Sequence, residues 1–219
     1  EDDMWGWSFE SNTGIIVQNG ANVYTNAGVF GFSAQNDTND AYITISGSQV
    51  TAEPQTGAAS LFAEGPITID KNASVNVSWL DGQSDITIDS SWVQYKGITQ
   101  PPQVANSVVF EGDTGTVSGN AVLFDSREIA QGKTLTIPEG AALTVSQEKT
   151  LSNKGTILNY GTIVGTVENI DEGKLLVPAD GITLNKNSLK LYVNTSPSSE
   201  TLIATVSPVN AIEKSVTWS

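Results

Sequence analysis

Short runs in which apolar and polar residues alternate recur along this chain, separated by turns rich in Gly, Asn, Asp and Ser. "YITISGSQVTA" (42–52), "PITIDKNASVNVS" (66–78), "DITIDSSWVQY" (85–95) and "TLTIPEGAALTVS" (134–146) share one form: an alternating strand, a polar turn, a second strand. Alternation turns one face toward a core and the other toward water. The inward pairs are Ile43/Ile45, Ile67/Ile69, Ile86/Ile88 and Leu135/Ile137. A further element with a Phe beside a turn recurs in "GVFGF" (28–32), "ASLFAEG" (59–65), "SVVFEG" (107–112) and "AVLFDS" (121–126). No apolar period of 3.6 reaches helical length, and "FDSREIAQGK" (124–133) allows one short turn at most.

The tightest repeat is "KTLSNKGTILNYGTIVGTVEN" (149–169), where Leu151, Ile157 and Ile163 continue from Val145 at six-residue intervals. A short strand and a tight turn, repeated, is how a chain winds into a parallel β-solenoid. Three such units make a coil of about 18 residues, which places Val145 roughly one rung from Ile163. The spacing from Ile43 to Ile67 is 24 residues and from Ile67 to Ile86 is 19, as expected of a coil whose corners accept insertions. A β-sandwich is the competing reading. It requires hairpins, and within 15–176 Asn-Gly or Asp-Gly turns occur only in "QNGAN" (18–22) and "LDGQS" (80–84). The expected fold is all-β: a right-handed parallel β-helix over 15–176, the hand following from the general rule for parallel crossovers. Residues 1–14 are expected as a cap segment, with Trp5 and Trp7 covering the first rung.

Charge changes the picture of partners. The net charge is −14, and residues 1–113 hold 14 acids against Lys71 and Lys96. Such a surface repels phosphate backbones, so nucleic acid is not an expected partner. No apolar run is long enough for a membrane span, and membrane insertion is not expected. Cysteine is absent, which excludes disulfides and thiolate metal sites. An N-terminus reading "EDDMWGW" suits an exported chain after signal-peptide removal, hence an extracellular or cell-wall location.

The text "ITISGSQVTA…ITIDKNASVNVS…GKTLTIPEGAALTVSQEKTLSNKGTILNYGTI" resembles repeat regions of large Firmicutes surface proteins, with their β-helical carbohydrate-binding-like domains, over about 15–170. From residue 181 the phrases "ITLNKNSLKL", "LIATVSP" and "NAIEKSVTWS" resemble the start of a bacterial immunoglobulin-like domain of group 2. That resemblance implies a small β-sandwich with Trp218 facing inward. Residues 181–219 are fewer than such a sandwich needs. This partial domain is therefore expected to pack along the solenoid or to self-associate through its strand edges.

Candidate chemistry is sparse. Histidine is absent, which removes the commonest general base, and Arg127 is the only arginine. Asp70 and Asp89 end equivalent "ITID" strands and could stack as a carboxylate pair, yet acidic residues also commonly end strands. "NDTND" (36–40) and "DGQSD" (81–85) gather oxygen atoms without the spacing of a calcium loop, leaving weak calcium binding as the only cofactor considered. Aromatic residues are the better clue, because sugar faces stack on rings supported by polar side chains. The stacking candidates are Trp79, Trp92 and Tyr95, with Asp81 and Gln83 beside them; Trp92 could instead occupy a core slot. The expected function is a non-catalytic extracellular scaffold or adhesin module of a bacterial surface protein. Its expected partners are a glycan or a host or cell-surface protein. A carbohydrate-binding module is the alternative and a carbohydrate-active enzyme the third reading.

Overall fold

The computed structural model describes residues 7–25, 30–52, 61–190 and 199–218. Trp5 lies outside them, as does the side chain of Trp7, so the expected tryptophan cap is not described.

The chain is all-β, and most of it is parallel β-solenoid. Three strands make each turn of a first coil. The first turn is β1 (Trp7–Ser11), β2 (Gly14–Val17) and β3 (Asn22–Thr25); the second is β4 (Phe30–Ala34), β5 (Tyr42–Ser46) and β6 (Gln49–Ala52). The third is β7 (Leu61–Ala63), β8 (Ile67–Asp70) and β9 (Ser74–Val77). The fourth is β10 (Trp79–Gly82), β11 (Ile86–Asp89) and β12 (Trp92–Tyr95), and β13 (Gly97–Ile98), β14 (Gln103–Ala105) and β15 (Ser107–Glu111) close the coil. β1 pairs in parallel with β4, Phe9 against Phe32, so the coil begins inside the segment expected as a cap. The isoleucine pairs form ladders: Ile43, Ile67 and Ile86 stack in register, as do Ile45, Ile69 and Ile88, all fully buried.

A second coil follows. Its turns are β16 (Thr114–Ser118), β17 (Asn120–Leu123) and β18 (Arg127–Ile129), then β19 (Thr134–Ile137), β20 (Ala142–Val145) and β21 (Thr150–Asn153). β22 (Thr156–Asn159), β23 (Thr162–Val164) and β24 (Thr166–Asn169) come next, and β25 (Lys174–Leu176) starts another turn. Leu135 and Ile157 stack in its core. Ile163 lies over Leu143 rather than Val145, a register of 163 − 143 = 20 residues. The earlier corner, Pro138–Ala141, is two residues longer than the Tyr160–Gly161 corner above it, and that difference displaces the six-residue phrase. The glycines of that phrase are corner positions where backbone meets backbone. A Cβ on Gly155 would sit 2.2 Å from the Lys133 carbonyl oxygen, and one on Gly161 would sit 2.3 Å from that of Ala141.

The two coils share one nine-stranded sheet, ordered β25-β22-β19-β16-β15-β12-β9-β6-β3. All its neighbours are parallel except β15 and β16, which pair antiparallel through the two-residue turn Gly112-Asp113. Gly112 has φ +57°, the left-handed first position that a Gly-led hairpin turn requires. This is the only hairpin within the described solenoid, and neither "QNGAN" nor "LDGQS" makes one: the first forms the corner between β2 and β3, and in the second Asp81-Gly82 ends strand β10.

Strand reversal is accompanied by a change of side. Val75, Val93 and Val109 line one face of the shared sheet and belong to the first core. Trp92, Val108 and Phe110 point to the other face and belong to the second core, with Val117, Leu135 and Ile157. Each coil thus lies on its own side of the common sheet. Reversing strand direction and side together equals a half-turn about the long axis, so both coils wind with the same hand.

Beyond the second coil, β26 (Gly181–Leu184) and β27 (Ala204–Ser207) form a two-stranded antiparallel sheet. It joins the solenoid where Val177 bridges Ala211 and the Asn210 side-chain amide donates to the Leu175 carbonyl (2.8 Å). Trp218, expected inward from the immunoglobulin-like resemblance, is 55% exposed, because no strand among the described residues covers it.

The ladder makes a direct stability prediction. Ile69→Ala removes a fully buried side chain between Ile45 and Ile88, and an expected loss of about 2–5 kcal/mol follows from the lost burial and the residual cavity. Equilibrium denaturant unfolding measures it; a loss below about 1 kcal/mol would contradict a stacked core at this position.

Candidate functional site

The stacking candidates do not gather in one place. Trp79 stands on the outward face of β10, 38% exposed, with its six-membered ring lying across Gly97 of the next turn. A Cβ at Gly97 would fall 2.1 Å from Trp79 Cζ3, so the absence of a side chain there is what lets the indole lie flat. Asp81, two residues along the same strand, is half-buried against Phe62, and Gln83 is exposed just past the strand end. These three share one edge of the first coil.

Trp92 and Tyr95 lie elsewhere, and each is only 5% exposed, so neither ring offers a free face for stacking. Both corrections have the same cause: β12 belongs to the sheet that has a core on each side. Trp92 points into the second coil, where its ring meets Phe110 (centroids 5.4 Å apart) and covers the start of that core. Phe110 in turn lies across Gly115 and carries the Lys133 ammonium 5.1 Å from its ring centre. Lys133 Nζ also donates to Gln94 Oε1 (2.8 Å) and to the Gly112 carbonyl (3.3 Å), tying the second coil to the hairpin. Tyr95 points into the first core. Burial, and then the negative charge of Glu111, push its hydroxyl above the ordinary tyrosine range.

The acidic candidates are strand-end and loop residues. Asp70 follows Ile69 on β8 and is in register with Ser46; its Oδ1 is buried without a hydrogen-bond partner among the described residues. Asp89, one turn on, accepts from Asn106 Nδ2 (3.1 Å) and Ser90 Oγ (3.4 Å). The oxygen atoms of "NDTND" serve the loop itself: Asp40 Oδ1 accepts from Thr38 Oγ1 (2.6 Å) and Asn36 Nδ2 (2.7 Å). Those two donors hold the Asp40 carboxyl below its usual range. In "DGQSD" the Gly82 and Ser84 carbonyls accept from the Gln100 side-chain amide.

A concavity of about 460 Å³ lies where the first coil stops and the shared sheet continues past it. β13 and β14 are the last strands of their sheets, so no further turn covers this end among the described residues. Val104, Val109, Pro102 and the edge of Tyr95 line its apolar part. Its wall is the bare side of the hairpin, with Glu111, Thr114, Thr116 and Ser118. Antiparallel register sets Glu111 against Thr114 and Val109 against Thr116, so carboxylate and hydroxyls stand side by side above the apolar part. Sequence reasoning missed this place because it missed the hairpin. The signal was present: "SVVFEGDTGTVS" (107–118) is two alternating strands about a Gly-Asp pair.

Comparison with protein-family models, curated proteins and solved structures yields no match.

Two measurements separate these environments. Trp92→Ala empties the capped start of the second core, with an expected cost of about 3–5 kcal/mol, while Trp79→Ala leaves the fold intact; denaturant unfolding of both variants decides, and equal losses would refute the split. In an ultraviolet titration Tyr95 ionises above the pH usual for tyrosine, and Glu111→Gln lowers that pH. Because the folded state favours the neutral phenol, its contribution to stability is full below about pH 10 and declines as pH rises through the folded pKa.

Proposed function

We propose that this chain is a non-catalytic scaffold or adhesin module of a bacterial surface protein, acting outside the cell or at the cell wall. The observation that supports the reading is the nine-stranded sheet common to both coils. One hydrogen-bonded ladder running through two offset cores resists bending in a way that two coils joined by a linker would not. Function then follows from shape: the module holds its exposed faces at a fixed spacing, and a glycan or a host or cell-surface protein meets them. The acidic charge of residues 1–113 makes nucleic acid an electrostatically unfavourable partner. The immunoglobulin-like resemblance of 181–219 supports a place among further surface domains.

A carbohydrate-binding module is the second reading, and one observation favours it. Trp79 offers an exposed indole, fixed on Gly97, with Asp81 on the same strand face as a hydrogen-bond acceptor.

A single ladder predicts a single transition. Scanning calorimetry of the chain should show both coils melting together, and two well-separated transitions would remove the rigid-scaffold reading. A glycan array then distinguishes the partners: binding that Trp79→Ala abolishes moves the assignment to the carbohydrate-binding module, and silence leaves the scaffold with a protein partner.

A further inference from the structure

We propose that the step between the coils is a binding site for a compact organic cation, an ammonium group carried on a short apolar body. The inference goes beyond the scaffold reading and does not depend on it.

The first argument is shape. In a parallel solenoid each turn is covered by the next, and here the next turn is missing on one side only. The hairpin carries the chain to the opposite face of the shared sheet, leaving Val104 and Val109 partly buried beneath nothing from the described chain. The resulting volume of about 460 Å³ falls within the range of small-molecule sites.

The second argument is that the opening suits a compact ligand better than an added strand. β14 is three residues long, Gln103–Ala105, and follows Pro101-Pro102. Proline donates no backbone hydrogen bond, and short edges preceded by proline are how sheets resist further pairing. A peptide laid on this edge would gain few ladder bonds while losing the freedom of every residue it ordered.

The third argument is charge. Among the described residues Glu111 is the only ionisable carboxylate or ammonium lining the concavity, and it makes no ion pair with any of them. The two lysines of residues 1–113 stand against 14 acids, so the surroundings add to its field instead of cancelling it. Beside Glu111 the wall supplies hydroxyl oxygens from Thr114, Thr116 and Ser118. An ammonium has three donors and no acceptor, and here it meets a carboxylate and neighbouring hydroxyls. Its carbon body rests on Val104, Val109 and Pro102. A carboxylate-bearing ligand would face Glu111 across the same space and is disfavoured by like charge.

Titration of the isotope-labelled full chain, followed by amide chemical shifts at 150 mM salt, tests the site. The probes are n-pentylammonium and glucosamine, each against its neutral counterpart, 1-pentanol and glucose. Saturable shifts centred on 102–118 are expected, with the ammonium form bound roughly three- to tenfold more tightly than its neutral counterpart. Pentylammonium should bind more tightly than glucosamine, whose body is polar; binding of glucosamine alone would overturn the apolar body of the proposed ligand. Glu111→Gln, at an exposed position, should erase that preference, and Trp79→Ala should leave it unchanged. Equal binding of charged and neutral probes would overturn the proposal. So would shifts that scatter over the acidic surface without saturating, or an ammonium preference that survives Glu111→Gln.

Discussion

The antiparallel pairing of β15 with β16 is the constraint on which the rest of the molecule depends. Every other neighbour in the nine-stranded sheet is parallel, and a coil that kept its direction would have continued over Val104 and Val109. Gly112-Asp113 turns the chain in two residues, and the left-handed φ at Gly112 is accessible without strain because the residue has no Cβ. After that turn β16 can only lie beside β15, so the sheet is not interrupted. What changes is which face of it carries the core.

The side chains record that exchange column by column. On one face the register runs Val75, Val93, Val109 and then Thr116 and Thr136: core until the hairpin, surface after it. On the other it runs Asn76, Gln94, Phe110, Gly115, Leu135 and Ile157: surface first, core afterwards. A continuation of the first coil would bury Thr116 and Thr136 without evident partners and leave Leu135 and Ile157 in water. Burial of a hydroxyl without a hydrogen bond and exposure of aliphatic surface are both unfavourable, so the apolar pattern and the turn select the same topology.

This explains what was legible in the sequence. Each "ITI" strand declares its inward residues by period-two alternation, a local signal, and the buried ladders of Ile43, Ile67 and Ile86 follow from it directly. The parallel solenoid was legible for the same reason. The division into two coils was not, because alternation reports that a strand has two faces and says nothing about which face the next strand shares. β12 shows the limit most clearly. "SSWVQY" has Trp92 and Val93 on opposite faces, and both are buried, since the sheet at that point has a core on each side. Trp92, which its neighbours leave open between a stacking ring and a core slot, is therefore an interior residue. Trp79 escapes this fate because the first coil's opposite wall has only one core to cover.

The two coil ends that meet at the shared sheet are not treated alike. The second coil begins under Trp92 and Phe110, large rings that project from the first coil's last strands and close the new core at once. Among the described residues the first coil ends under nothing comparable: the corresponding wall positions are Glu111, Thr114 and Thr116, too short or too polar to fold down over Val104 and Val109. Aromatic side chains in those places would have sealed that end as Trp92 seals the other, through the same sheet and at the same small cost in backbone geometry. The open end therefore has two causes: the hairpin removes the turn that would cover it, and the side chains at the wall leave it unsealed. A coil end left with an apolar interior and a carboxylate at its rim is a surface whose chemistry is set by the hairpin, which is why the junction, and not the more regular repeats on either side, carries the most specific chemistry in this chain.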